Sequence, residues 1–318
     1  MDNNTSIEIS TPTGLIAALP GLIGFVPEDS EIFVVLKGEE IVFSARHDFT
    51  TAPDVAAHIA AVARSYDATG VLLIAVTDDL AEATHWLDEA GQTAKHNGLR
   101  VLRTLHTPSC EVGAQWTDVE SGQTGLTEDF RESAVTAARA VTGRAVSTRR
   151  DQIQAMFALA EPVDLDTAHT GSPTRFLDIA RQVYTLITSN TAPSADLAAQ
   201  VGRAIIDYTG IRDALIVVGS NAPLPAAQLF ATIAAGLRGT VRAEVLTLVA
   251  VFSVLGGSGA QANVAIDQAQ ACATNTPALL DLIEQAIAAG MSPELLRQAI
   301  IDPLHKHTYD ILGGDYMI

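Results

Sequence analysis

The segment 19–36 constrains the fold of this chain more than any other part of the sequence. A run of apolar residues bounded by turn residues is typical of a strand that is buried on both faces of a sheet. The segment therefore predicts a helix end, a rigid acidic turn and a buried strand. Its three parts are Leu19-Pro20-Gly21-Leu22-Ile23, Gly24-Phe25-Val26-Pro27-Glu28-Asp29-Ser30 and Ile32-Phe33-Val34-Val35-Leu36.

Length and charge limit the classes of protein to which the chain can belong. It has 318 residues, of which 48% are hydrophobic, so it can bury a substantial core. Single domains commonly have about 100 to 200 residues, so this length predicts two domains. The chain carries 19 basic against 37 acidic side chains, a net charge of −18. Because such a surface repels a phosphate backbone, the composition argues against nucleic-acid binding.

Residues 1–145 predict an α/β domain with a mixed sheet. Two strand patterns joined by Lys37-Gly38-Glu39-Glu40 predict an antiparallel hairpin. Strands and helices then alternate, which favours parallel strands joined by right-handed crossovers. The predicted elements are strands 32–36 and 41–46, helix 54–66, strand 71–76, helix 80–96, strand 101–106 and strand 112–119.

The first residues predict a short strand at 7–9 and an apolar helix at 15–23. Thr13 stands in a position suited to a helix N-cap. Pro20 lies inside the predicted helix, so we expect it to kink or end that helix.

Residues 146–318 predict an all-α domain, because the hydrophobic period is helical from Glu128 onward. Polar and proline-containing stretches at 189–194 and 221–225 indicate loops. The boundary between the domains falls in the range 143–173, and we place it after residue 145. The predicted helices cover 129–142, 149–160, 173–188, 195–208, 226–238, 242–255, 260–273, 279–289 and 293–301.

Two short blocks carry a family resemblance. The turn 24–30 precedes an apolar strand, and the block 256–269 contains Ala262-Asn263-Val264-Ala265-Ile266-Asp267-Gln268-Ala269. Together they resemble the hallmarks of an uncharacterised actinobacterial family, domain of unknown function 4192. The resemblance covers almost the whole chain in the expected order, but it implies no activity and no catalytic residues.

The spacing of small residues around Gly257 resembles a tetratricopeptide-like helical hairpin. Such a hairpin implies a groove or surface for protein contacts, and Leu246, Phe252 and Leu279 are its candidate contact residues. The alternative is an all-α domain in which small residues allow tight helix crossings. Exposure of the three side chains would favour an interface, and burial would favour the alternative.

Four carboxylates are candidate ligand-binding residues. Asp78 and Asp79 follow strand 71–76, where ligands of open α/β sheets usually bind and where a carboxylate pair suits a hard cation. The alternative is an N-cap for the helix that follows. Glu28 and Asp29 lie in the turn before the buried strand, where local Asx-type hydrogen bonds are the alternative to a ligand.

The sequence indicates no catalytic cluster, metal site or cofactor. Cys110 and Cys272 have no paired spacing, and neither a Walker-type nor a Rossmann glycine pattern occurs. The start lacks the features of a signal peptide, and the apolar run 245–255 is too short to cross a bilayer, which takes about 20 residues. We therefore expect a cytoplasmic protein that does not enter the membrane.

These observations favour a non-catalytic protein-interaction or assembly component, with a protein partner or self-association. The alternative from another class is an enzyme or sensor that binds a small molecule or nucleotide at the carboxyl edge of the N-terminal sheet. A third hypothesis is an accessory structural component of a phage or of its host. The sequence alone leaves all three open.

Overall fold

A computed structural model describes residues 8–49, 55–141, 146, 150–165, 173–305 and 308. The chain divides into two compact units, Met1–Arg150 and Asp151–Ile318. The first contains a six-stranded mixed sheet with helices, and the second is helical, which confirms the predicted fold class. Residue 145, after which the sequence places the boundary, lies outside the described residues.

The sheet of the first unit combines antiparallel and parallel pairs. Its strands are β1 Ser30–Lys37, β2 Glu40–Asp48, β3 Gly70–Val76, β4 Arg100–Thr107, β5 Gln115–Asp118 and β6 Thr124–Leu126, in the order β2-β1-β3-β4-β5-β6. Of the described pairs, β3 and β4 are parallel and the others are antiparallel. The predicted hairpin and the predicted parallel pair are both confirmed.

Strand β1 is an interior strand of the sheet and is buried on both faces. Its residues from Ser30 to Leu36 are all buried. Phe33 and Val35 belong to one hydrophobic core, whereas Ile32 and Val34 belong to another on the opposite face. The helices of this unit are α1 Pro12–Ile23, α2 Val55–Ser65, α3 Leu80–His96 and α4 Ala134–Val141, with a short 3-10 helix at Phe130–Glu132.

Helix α1 has a different N-cap from the predicted one, and it does not end at Pro20. Its N-cap is Thr11, whose side chain accepts a hydrogen bond from the Gly14 N–H, whereas Thr13 Oγ1 accepts one from the Trp116 indole at 2.9 Å. The helix continues past Pro20 to Ile23. Its C-cap is Gly24, where φ is 100° and the N–H bonds to the Pro20 carbonyl oxygen. Residues 8 and 9 form no strand, and residue 7 lies outside the described part.

Strand β5 is shorter than the predicted strand 112–119. Gly113 has a φ of 83°, and its N–H bonds to the Thr127 carbonyl oxygen, so the chain turns before the strand begins. Asp118 then accepts hydrogen bonds from the Glu120 and Ser121 N–H groups. This Asx-type turn ends the strand and starts the β5–β6 hairpin.

The second unit is built from helices α5 to α13, of which α5 begins at the last residue of the first unit. They are α5 Arg150–Ala155, α6 Pro173–Ser189, α7 Ala195–Asp207, α8 Thr209–Gly219, α9 Pro223–Ala235, α10 Gly239–Leu255, α11 Gly259–Cys272, α12 Ala278–Ala288 and α13 Pro293–Leu296, which continues as a π-helix over Arg297–Ile301. Helix α8 was not predicted. Helix α9 begins earlier than predicted because prolines fit its first turn, and α5 ends earlier.

Helix α10 forms the centre of the helical unit. Every residue from Val245 to Leu255 is buried, in keeping with the apolar character of this run. Gly219 of α8 lies so close to it that a Cβ atom would come within 2.5 Å of the Phe252 ring. In the described part of the chain, no helix has the length and apolar character needed to span a bilayer.

A buried arginine ties α9 and α10 to the segment after α5. Arg242 is only 3% exposed, and its guanidinium donates hydrogen bonds to the carbonyl oxygens of Ala234 and, at 2.6 Å, Phe157. Burial lowers the pKa of this guanidinium. The Ala234 carbonyl belongs to the last turn of α9, where a cation is favoured by the helix dipole.

We predict that Arg242→Met lowers the free energy of unfolding of the helical unit by about 2 to 4 kcal/mol. Methionine fills much of the volume, but it leaves two buried carbonyl groups without their donors. The matched control is Arg203→Met, which removes an exposed pair with Asp207 and is expected to cost less than about 0.5 kcal/mol. Urea unfolding followed by circular dichroism measures the loss of unfolding free energy in both variants. Equal losses would contradict the stabilising role of Arg242.

Candidate functional site

The four predicted ligand-binding carboxylates lie at one end of the sheet. Ser30 at the start of β1 is paired with Val76 at the end of β3. Glu28 and Asp29 precede the first strand, and Asp78 and Asp79 follow the second, so antiparallel pairing brings both loops together. All four side chains are exposed.

Asp79 is the N-cap of α3. Its carboxylate accepts hydrogen bonds from the Ala81 and Glu82 N–H groups at 2.9 and 3.0 Å. Asp78 is exposed beside it. The capping alternative thus accounts for Asp79 without any ligand.

The turn before β1 is held by its own backbone and by Arg46. Asp29 has a φ of 40°, and Ser30 Oγ donates to the Glu28 carbonyl oxygen at 2.6 Å. Arg46 donates to the same carbonyl oxygen at 3.0 Å and to Ser30 Oγ at 2.7 Å. Its guanidinium also pairs with Asp48 at 2.5 Å and lies 5.6 Å from the Phe25 ring centre. Burial lowers the pKa of this guanidinium.

A row of residues, all polar except Ala75, crosses the face of the sheet that carries Phe33. The strand registers place His47, Glu31, Ala75 and His106 side by side on β2, β1, β3 and β4. Directly opposed residues of antiparallel strands point to one face with Cβ atoms about 5 Å apart. Glu31 therefore lies between His47 and the small side chain of Ala75, on the face that also carries Phe33.

Glu31 is a buried carboxyl group with an unusual protonation equilibrium. It is 5% exposed, and burial raises its pKa from 4.5 to about 7. The hydrogen bond from Trp86 lowers this pKa, whereas the nearby carboxylates of Glu82 and Asp48 raise it further. Glu31 thus exchanges its proton close to neutral pH.

His47, opposite Glu31, is half-buried. Burial lowers its pKa, and the positive charges of Arg46 and His58 lower it as well, whereas Asp48 opposes the shift. A neutral imidazole therefore faces a carboxyl group that is partly protonated near pH 7. This arrangement can accept or donate a proton, as a general acid–base pair does.

Aromatic rings form the wall beside Glu31. The Trp86 ring lies edge-on to Phe33 with ring centres 5.5 Å apart, and Phe49 is 6.0 Å from Trp86 in a similar geometry. We call Glu31, His47, Trp86 and the rim carboxylates Glu28, Asp29, Asp78, Asp79 and Glu82 the sheet-end site.

His106 completes the row beyond Ala75. It is 7% exposed, and its Nε2 lies 2.9 Å from the Thr77 carbonyl oxygen. A carbonyl oxygen only accepts, so Nε2 carries the hydrogen. This bond fixes the imidazole against the loop that leads to Asp78 and Asp79.

Sequence reasoning missed Glu31, His47 and Trp86. A signal was present for Glu31, because a charged residue directly before the run Ile32-Phe33-Val34-Val35-Leu36 becomes part of a buried strand. His47 and Trp86 gave none, because their position next to Glu31 depends on the strand register and on the packing of α3.

A metal site and a groove on the sheet are the alternatives to the sheet-end site. Among the described residues, no three His, Cys, Asp or Glu side chains are placed to hold a metal ion. A groove of about 470 Å³ lies between α3 and β4 and contains Asp88, Lys95 and Glu120, but these side chains are exposed. We favour the sheet-end site because a buried carboxyl group has a larger energetic consequence than exposed charges.

The candidate contact residues of the helical unit are mostly internal. Leu246 and Phe252 are 0% exposed, and Phe252 stacks on Phe230 with ring centres 5.5 Å apart. Leu279 is partly buried. Leu246 and Phe252 are thus packing residues, which favours the alternative of tight helix crossings.

The chain belongs to the family described as Domain of unknown function (DUF4192), which it matches over residues 12–294. This confirms the resemblance carried by the acidic turn and by the block of small residues. No match to the chain was found among curated proteins or among solved structures. The family description assigns no activity, so a functional argument depends on the geometry of the site.

We predict that Asp79→Ala lowers the free energy of unfolding by about 1 kcal/mol, because it removes the cap of α3. Asp78→Ala is the matched control, since it removes an exposed carboxylate one residue away and is expected to change stability by less than about 0.5 kcal/mol. Thermal unfolding of both variants tests this. Equal effects would show that the cap contributes nothing.

We also predict that Glu31→Gln stabilises the protein in a pH-dependent way. Between pH 4.5 and 7 the unfolded state loses the Glu31 proton while the folded state keeps it, so stability falls as pH rises through this window. The variant lacks this loss, so its advantage over the natural protein grows from pH 4.5 to 7 and is then constant. With allowance for solvent screening, the gain is on the order of 2 kcal/mol.

The matched control for this measurement is Glu40→Gln at the exposed start of β2. Urea unfolding at pH 4.5, 6 and 8 gives the difference in unfolding free energy between each variant and the natural protein at each pH. A constant difference between Glu31→Gln and the natural protein would contradict the raised pKa of Glu31.

Proposed function

We propose that this family member binds a small organic cation at the sheet-end site. The observation that carries the proposal is Glu31, a buried carboxyl group beside Trp86 with two further carboxylates close to it. A buried charge is favourable only when a partner of opposite sign accompanies it. A ligand that carries an ammonium or guanidinium group supplies that partner.

The rim of the site supports a positively charged ligand. Glu28, Asp29, Asp78, Asp79 and Glu82 are exposed acidic residues around the sheet end. Arg46 and Arg150 lie nearby, but both pair with Asp48. Such a field attracts cations and repels phosphates and carboxylates. Nucleotide binding at this site is therefore disfavoured.

The aromatic wall supports an organic cation over a hydrated metal ion. Trp86 and Phe49 are partly exposed and offer ring surfaces, and a cation over such a ring gains about 0.5 to 2 kcal/mol. Magnesium keeps several waters and takes oxygen ligands, to which aromatic rings add nothing. Ring faces and a carboxyl group together suit an amine that has an apolar body.

A role in protein interaction or assembly stays a prediction. Leu246 and Phe252 are unavailable for contacts in the folded unit, and the sheet edges offer little for strand addition. Edge strand β6 has three residues, and β2 carries a bulge at Val42. Short and bulged edges resist pairing with another chain.

Several finer expectations also stay predictions. They are the tetratricopeptide-like character of the α10–α11 hairpin, a protein partner or self-association, a cytoplasmic location, an actinobacterial origin and a phage or host accessory role. We assign no reaction to the protein. The proposal is that of a binding or sensor protein whose ligand carries a positive charge.

The test is a thermal-shift measurement at pH 8 with two panels of small molecules. Cations such as benzylamine, 1,4-diaminobutane, agmatine and tetramethylammonium form the first, and their carboxylate counterparts form the second. A cation at 100-fold excess over its Kd stabilises the folded state by about 3 kcal/mol. We expect at least one cation to raise the unfolding midpoint and the carboxylates to leave it unchanged.

Glu31→Gln provides the control, because it keeps the shape of the side chain and removes its charge. It should abolish the shift, whereas Glu40→Gln should keep it. No shift with any cation, or a shift that survives in Glu31→Gln, would contradict the proposed function.

A further inference from the structure

We infer that the groove between α3 and β4 is a second ligand site, and that it takes an α-amino acid with an apolar side chain. The groove has a volume of about 470 Å³, which is sufficient for a small molecule. None of its lining residues belongs to the sheet-end site, so this inference is independent of the proposed function.

Gly91 is a glycine that neither the backbone nor the packing of α3 requires. It lies inside the helix, where glycine is less stable than alanine. A Cβ atom at this position would lie 3.8 Å from Leu73 Cδ1 and 4.0 Å from Val101 Cγ2, which are ordinary packing distances. Gly91 and Val101 both line the groove, so the missing methyl group adds space to it.

Other helical glycines have a different explanation. A Cβ atom at Gly202 would lie 2.8 Å from Leu237 Cδ2, and one at Gly219 would lie 2.5 Å from the Phe252 ring. Those positions favour glycine because their neighbours leave no room for a side chain. Gly91 has that room, so an occupant of the groove explains it better than a contact within the protein.

The floor of the groove is apolar. It is formed by Leu87 of α3, Val101 of β4 and Val119, which follows β5. Val101 and Val119 pack against the core of this face but are only partly buried. An apolar side chain that covers them leaves water, and burial of a leucine-sized side chain strengthens binding by about 10- to 100-fold.

The rim of the groove carries charges of both signs. Lys95 lies in the last turn of α3, and Asp88 and Glu120 are the acidic residues. Among the residues that the structure describes, Lys95 and Glu120 form no ion pair, and Asp88 accepts a hydrogen bond from Gln92 at 2.8 Å. A ligand with one carboxylate and one ammonium group complements this rim, with its carboxylate at Lys95.

The carboxylates of the sheet-end site do not repel such a ligand. Glu82 is in the first turn of α3 and Lys95 in the last, so their backbones are about 20 Å apart. The Debye length at physiological ionic strength is about 8 Å, so the field of the sheet end is largely screened at Lys95. The two sites can therefore select ligands of different charge.

Nuclear magnetic resonance of the nitrogen-15-labelled full chain with L-leucine tests the inference. We expect L-leucine to move the backbone amide signals of Gly91, Gln92 and Glu120. Glycine lacks the apolar side chain and should bind at least about tenfold more weakly. Leucinamide lacks the carboxylate and 4-methylpentanoate lacks the ammonium group, so each should bind up to about fivefold more weakly.

Two variants locate the ligand in the groove. Gly91→Ala should raise the midpoint of thermal unfolding and weaken the binding of L-leucine by about tenfold, because its methyl group occupies the groove. Lys95→Gln should weaken the binding of L-leucine but not that of leucinamide. The matched control is Lys37→Gln, which removes an exposed pair with Asp67 and should change neither.

Three results would overturn the inference. They are unmoved groove signals in the presence of L-leucine, a lowered unfolding midpoint in Gly91→Ala, and an equal effect of Lys95→Gln on L-leucine and leucinamide. The panel of cations tests the sheet-end site separately, so failure of either proposal is distinguishable from failure of the other.

Discussion

The antiparallel pairing of β1 with β3 is the constraint on which the sheet-end site depends. It brings the start of one strand to the end of the other, so the acidic turn and the loop after β3 meet at one end of the sheet. Because β1 is also buried on both faces, every residue from Ser30 to Leu36 loses its contact with water. Glu31 is desolvated for the same reason that Ile32 and Phe33 are buried in the two cores on either side of the sheet.

Strand periodicity then decides what Glu31 can contact. Arg46 is the chain neighbour of His47, which is paired with Glu31. Because successive side chains of a strand point to opposite faces, Arg46 points to the other face, where it holds the turn. On its own face Glu31 has a histidine opposite it on β2, and an indole and the Glu82 carboxylate on α3. The same alternation that separates the two hydrophobic cores thus leaves an acid without a cation. This is the physical origin of the proposed ligand class.

Much of the fold was predictable, because strongly periodic elements dominate it. Helix α3 and strands β3 and β4 follow from their patterns almost residue by residue. Helix α8 was missed because glycines frame it at Gly210 and Gly219, which resemble loop signals, and tertiary packing against Phe252 explains the second of them. The site was predictable only as a location. The hairpin turn alone would pair Glu31 with Arg46, and the bulge at Val42, which the sequence did not reveal, shifts the register so that Glu31 is paired with His47.

The protonation state of Glu31 is the most direct test of this account. Carbon-13 NMR of the glutamate side-chain carboxyl groups, with the Glu31 signal assigned by its loss in Glu31→Gln, follows that state across pH. The account predicts a midpoint of about 7 in the free protein. A midpoint near 4.5, the ordinary value for glutamate, would show that water reaches the carboxyl group and would contradict the central claim.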